Sequence, residues 1–328
     1  MAKIYPGVVP NKTQQMQMDR KYGMFIHFGI NTFNDLEWSD GSLPVESYCP
    51  DKIDADSWVR NARDAGMKYV IIITKHHDGF CLFHTEYTDY GVQSSPNQTD
   101  VIMEVSKACK KYGIGLGMYY SLWDRHEKCY KNDEAYVDFM CNQLTELLGG
   151  KYGDVCELWL DGSWDKKPEQ WNVPKLYELV HKLQPDCAFA VNHTIGSKCR
   201  LNIIKRLYFP DRYKKGMPIR YFPADFRLCD PWFTKRGKDA DPKLFKYENK
   251  TYYLPFEATV CMRTSGHWFW SKKYTNAPPR TPEYIVEKYD HMIEQNNLLV
   301  INVAPNVHGE QEESDILPLL KAKMMLGL

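Results

Sequence analysis

The chain has 328 residues, with 42 basic and 42 acidic side chains, and 43% of it is hydrophobic. Balanced charge removes the electrostatic case for nucleic acid or an anionic membrane as partner. The apolar runs are too short to cross a bilayer, and the length suits two domains or one α/β barrel.

The opening stretch, MAKIYPGVVPNKTQQMQMDRKYG, has no apolar run of the kind a secretory leader carries, so none is expected. Residues 23–29 (GMFIHFG) read as a strand. Residues 54–66 read as a helix with acids at its start and Gly66 at its end. A β-branched strand follows at 68–74. The helix predicted over 100–113 puts Val101, Val105, Ala108 and Tyr112 on one face. Then come a strand at 114–121, a helix at 134–150, a strand at 155–162, a helix at 173–184 and a strand at 188–192. Prolines and basic residues mark 194–250 as loop-rich, with a sixth strand at 219–223. A seventh strand is expected at 252–261, a helix at 282–296 and a last strand at 298–305.

Short apolar strands alternating with helices predict a parallel α/β architecture. No Gly-x-Gly-x-x-Gly follows the first strand, which counts against a dinucleotide fold. The expectation is a (β/α)8 TIM-like barrel spanning 1–328 as one domain. Ten scattered cysteines form no Cys-x-x-Cys pair, which argues against zinc-ribbon and redox motifs. Reduced thiols in the cytoplasm are the expected state.

In such barrels the active site lies at the C-terminal strand ends. Those ends carry His27, His76, His77, Asp78, Tyr119, Tyr120, Trp123, Trp159, Asp161, Asn192, His193, Asp225, Glu257 and Asn302. Any one of them could be a cap or an anchor, but repetition over the strands points to a polar pocket. Adjacent strand residues face opposite sides, so hydrogen bonding to hydroxyl groups is favoured over metal ligation by His76 and His77. In NDLEWSDG, Trp38 offers a flat face for a sugar ring and Glu37 an acceptor; a surface turn is the plain alternative.

Two carboxylates on different strand ends can cleave a glycosidic bond. Asp161, closing the apolar run ELWLDG, is one. For the second, Glu257, Asp225 and Asp211 are open. Glu257 sits between Phe256 and Ala258, where burial would raise its pKa as a general acid needs. Its plain alternative is a structural acid paired with Arg263. For Asp225 the plain alternative is a salt bridge to Arg227 or Arg220.

Together KYGMFIHFG, the Glu37-Trp38 pair, KYVIIITKHHDGFCLF, GLGMYYSLWD, ELWLDG and NNLLVINVAPNVHG resemble glycoside hydrolase family 29, the retaining α-L-fucosidases. The resemblance covers roughly residues 5 to 320. It implies exo-release of terminal α-L-fucose from a fucosylated oligosaccharide or glycoconjugate, through a covalent glycosyl-Asp161 intermediate and without metal or cofactor. It implies a sugar pocket of His27, Glu37, Trp38, His76, His77, Tyr119 and Trp159. The β-sandwich that often follows the barrel in this family is expected to be absent. Where many members carry Val-Asn-Asp-Arg, this chain has VNHTIG, so His193 and Thr194 stand in place of Asp and Arg. The family's proton donor varies in position. Glu257 resembles a Glu often found in a Trp-Glu pair, and Asp225 stays open beside it. The rival readings are an α-L-galactosidase, a catalytically silent sugar-binding barrel and a metal hydrolase built on His76 and His77.

Overall fold

The computed structural model describes residues 7–196, 216–230 and 232–328. Its frame is a set of short, buried parallel strands. These are β1 (Tyr22–Ile26), β2 (Tyr69–Lys75), β3 (Gly115–Ser121), β4 (Val155–Asp161), β5 (Ala188–Val191), β6 (Arg227–Leu228), β9 (Phe256–Cys261) and β10 (Leu298–Asn302). A separate antiparallel hairpin comprises β7 (Leu244–Tyr247) and β8 (Lys250–Tyr253). The eight parallel strands form one sheet in the order β5-β4-β3-β2-β1-β10-β9-β6. With β5 and β6 brought together, the sheet curls into a nearly closed (β/α)8-type barrel. Strands buried on both faces read as continuous apolar runs, as YVIIITK of β2 does.

The helices start where side chains satisfy their first backbone donors. Asp54 caps α3 (Ala55–Asp64), Asp100 caps α4 (Val101–Tyr112) and Asn132 caps α5 (Asp133–Leu148). Pro174 lies in the first turn of α6 (Val173–Leu183), and Thr281 caps α7 (Pro282–Ile293). Besides the single-turn α2 (Ile30–Phe33), two helices have no counterpart in the sequence reading. One is α1 (Lys12–Arg20), which opens on a capping box of Asn11 and Gln14. The other is α8 (Glu313–Leu326). Helix α1 buries Thr13, Gln14, Gln17 and Met18, and Gln17 reaches into the N-terminal end of the barrel. Gly23 makes room there: a Cβ on it would lie 2.7 Å from the Tyr69 ring.

The loop-rich middle departs most from expectation. Residues 219–223 are no barrel strand. Ile219 pairs instead with Ile195, and its amide donates to the Lys246 carbonyl of the hairpin. The sixth stave is the two-residue β6, too short to show a hydrophobic run. The seventh begins at Phe256, four residues later than predicted, because 250–253 belongs to the hairpin. Between β5 and β6 the barrel is stitched more than laddered. The Asp225 amide donates to the Phe189 carbonyl (2.8 Å), and the Leu228 amide to Thr194 Oγ1 (2.9 Å).

Candidate active site

Side chains two apart on a strand share a face. On β4 the inward face carries Glu157, Trp159 and Asp161 in turn, from the bottom of the barrel to its C-terminal rim. A cavity of about 410 Å³ opens at the rim. Its walls include Phe25, His27, Glu37, Trp38, His76 and His77, with Tyr119, Trp159, Asp161 and His193. Every sugar-pocket candidate named from sequence thus lines one cavity.

The Asp161 carboxylate is held on both oxygens. Tyr119 donates its hydroxyl to Oδ2 (3.0 Å) and Asn192 its amide to Oδ1 (2.9 Å). His77 Nε2 lies 3.7 Å from Oδ2. Gly162 behind it has φ +75°, and a Cβ there would lie 2.6 Å from that of Trp123. The chain can therefore turn off the strand at that point only because residue 162 lacks a side chain.

His77 and His27 are placed as acceptors. The Ser121 hydroxyl donates to the Trp123 carbonyl (2.6 Å), so it accepts from His77 Nδ1 (2.6 Å), leaving Nε2 with a lone pair. Asn302 gives its amide to the Trp268 carbonyl (2.8 Å), so its oxygen accepts from His27 Nδ1 (2.8 Å). Burial lowers His27 to a pKa of about 3 and His77 to about 4, and holds His76 well below its ordinary value. Neutral rings with open lone pairs suit the hydroxyls of a sugar. Trp159 stacks on Tyr119 at 5.6 Å and 25°, which gives the floor a flat apolar face. At the mouth Trp38 faces Trp164 at 6.0 Å and 23°, and Trp38 remains half exposed.

Neither proposed partner of Asp161 is among the cavity's lining residues. Glu257 is the second residue of β9, and parallel strands start at the same end, so it lies at the barrel bottom. There Tyr69 donates to its Oε2 (2.7 Å), Trp159 Nε1 to its Oε1 (3.1 Å), and Gln17 reaches it at 3.3 Å. Glu157 lies beside it, and Gln17 also donates to Glu157. Burial, and for Glu157 the neighbouring charge, raise the pKa of both acids. The anticipated partner Arg263 is elsewhere, paired with Glu312 and Asp315. Asp225 precedes β6 and packs outside the barrel against α6. It accepts from Tyr177 (2.8 Å) and from the Phe189 amide (2.9 Å), and bonds His181 Nε2 (3.0 Å). Arg227, expected to pair with it, instead pairs with Asp241. Asp211 lies outside the described residues.

Cavity residues that the sequence reading left out of its site are Phe25, Trp164, Asn192, Asp230, Thr259, Gly266 and Trp268. Asn192 stood at a strand end and could have been chosen. Trp164 and Trp268 lie on loops with no periodic signal. Asp230 follows the two-residue β6, whose brevity hid the strand end that presents it.

A sequence model of the family described as alpha-L-fucosidase matches residues 34–321. The chain belongs to the alpha-L-fucosidase family. Alpha-L-fucosidase 1 of Arabidopsis thaliana is 35% identical over 320 residues, covering 93% of this chain and 58% of that protein. The chain spans a little over half the length of the plant relatives it matches. Among solved structures, a glycoside hydrolase 29 family member from an unknown rumen bacterium superposes with a TM-score of 0.78. It is 26% identical and covers 98% of this chain and 58% of that one. Alpha-L-fucosidase isoenzyme 1 from Paenibacillus thiaminolyticus gives a TM-score of 0.76 at 25% identity, covering 96% and 75% respectively.

Proposed function

We propose that the protein is an exo-acting, retaining α-L-fucosidase that removes a terminal α-L-fucosyl unit from a glycan. Membership of the family supports this reading, and one observation carries it. Asp161 presents a carboxylate, fixed by Tyr119 and Asn192, to a cavity walled by aromatic rings and neutral histidines.

In this reading an Asp161 oxygen bonds to the anomeric carbon as the glycosidic C–O bond breaks, and an acid protonates the departing oxygen. Water then attacks the same carbon, the ester to Asp161 breaks, and two inversions give net retention. His27 and His77 accept from sugar hydroxyls, and the Tyr119–Trp159 stack packs on the apolar face of the ring. A cytoplasmic setting is likewise a proposal; the nine described cysteines are free thiols.

The test is hydrolysis of aryl α-L-fucoside and aryl α-L-galactoside, followed by NMR of the first product formed. Release of α-L-fucose before mutarotation is expected. The β anomer would overturn retention. Preference for the galactoside would overturn the substrate, and no turnover of either would favour a sugar-binding barrel.

A further inference from the structure

Double displacement at Asp161 needs a second acid, and among the described residues only three carboxyl groups line the cavity: Asp161, Glu37 and Asp230. Glu37 is occupied. Its oxygens accept from the Trp268 amide (3.1 and 3.0 Å), and Oε2 meets His267 Nδ1 at 2.8 Å. Both Glu37 oxygens are thus already engaged by the Trp268 amide and His267.

Asp230 is held differently. Thr259 donates its hydroxyl to one oxygen, Oδ1 (2.8 Å). The Asp230 amide donates to Asn192 Oδ1 (3.1 Å), and the amide group of the same Asn192 donates to Asp161 (2.9 Å). One asparagine therefore fixes both acids relative to each other. From this arrangement we propose that Asp230 is the acid/base of the reaction, giving its proton to the leaving oxygen and then taking one from water.

The electrostatics fit that cycle. Burial first, with the charges of Asp161 and Glu37 added to it, raises the Asp230 pKa to about 7 against the hydrogen bond from Thr259. Near neutral pH the proton is therefore held loosely enough to give. Once Asp161 is esterified its charge is gone, and one of the causes holding the proton goes with it. Asp230 then stays ionised and can accept from water. Among the described residues the other titratable groups lining the cavity are His27, His76, His77, His193 and Tyr119; burial keeps the first three and the Tyr119 hydroxyl neutral.

The step balances. Asp230–COOH gives a proton to the glycosidic oxygen as Asp161 bonds to carbon, which leaves an alcohol, a glycosyl ester and Asp230–COO⁻. Water then gives its proton to Asp230 and its oxygen to the anomeric carbon, which frees Asp161 and the sugar.

This inference rests on the fucosidase reading, so the wild type is assayed first. It is then compared with Asp230→Ala and Asp230→Asn on two fucosides, one with a strongly acidic phenol and one with an alkyl leaving group. Both variants are expected to lose roughly 10²–10⁴-fold on the alkyl substrate and far less kcat/KM on the phenol. The basic limb of the pH–rate profile should disappear. Added azide should restore turnover of the phenol substrate by Asp230→Ala and yield α-L-fucosyl azide, which also shows the variant to be folded. If the wild type cleaves fucosides and Asp230→Asn keeps its rate and basic limb, Asp230 is not the acid/base. If the wild type cleaves neither fucoside, the fucosidase reading falls and takes this assignment with it.

Discussion

Glu157 and Asp161 lie four residues apart on the same face of β4, and each has a second acid nearby, yet their surroundings are opposite. At the bottom Glu157 and Glu257 are sealed. Helix α1 closes over them, and Gln17, Tyr69 and Trp159 supply donors. At the rim Asp161 and Asp230 share Asn192 but face a cavity. Acids with raised pKa values at both ends of one barrel would each pass for a catalytic residue on pKa alone. Access separates them: a sealed acid can only be structural, whereas an open one can exchange its proton with a ligand.

The largest expected effect is at the open end. Asp161→Ala should lower turnover by roughly 10⁴-fold or more while the melting temperature hardly moves. A large fall in melting temperature with activity retained would reverse the assignment of the two ends. Glu257→Ala should do the opposite and be costly to stability. It strands the Tyr69 hydroxyl and the Trp159 N–H, each worth about 1–3 kcal/mol when buried unpaired, as urea unfolding would report. The milder Glu257→Gln should keep the basic limb of the pH–rate profile; its loss would return the proton donor to the barrel bottom. Tyr119→Phe removes one charge-assisted bond to Asp161, worth roughly 1.5–3 kcal/mol, so kcat/KM should fall about 10- to 100-fold.

The smallest effects concern stability against pH. His27 and His77 have folded pKa values of about 3 and 4, below their ordinary value of 6.5. As pH falls below 6.5 the unfolded chain takes up protons that the folded chain refuses, so their contribution is lost towards pH 4. Denaturation of His27→Gln should show a flatter acid slope than the wild type. Asp230 runs the other way. Its folded pKa of about 7 exceeds the ordinary 3.8, so its contribution is lost as pH rises through 7. Asp230→Asn should therefore gain melting temperature over wild type at pH 8 but not at pH 4.

The staves with long β-branched or aromatic runs were legible, because burial on both faces leaves an unbroken apolar signature. Helix α1 was not, because its buried face is made of Thr13, Gln14, Gln17 and Met18, largely polar residues whose partners lie far along the chain. The strand-end rule found the pocket histidines, Tyr119 and Asp161. It failed at Glu257, where starting the strand four residues early made a bottom residue look like a top one. It missed Asp230 because a two-residue stave has no period to read.

That stave has a further consequence. Seven strands are set by backbone pairing to neighbours on both sides or on one long edge, and substitution near them risks the whole register. Among the described residues the stave β6 pairs by ladder with β9 alone, and on its other flank Leu228 shares two bonds with Thr194, its amide donating to Oγ1 and its carbonyl accepting from the Thr194 amide. Just beyond it, Asp230 is tied to Asn192 through its amide and to Thr259 through its carboxyl group. The proposed proton donor is thus placed by contacts to neighbouring staves, whereas Asp161, the proposed nucleophile, is placed by the ladder of the sheet itself.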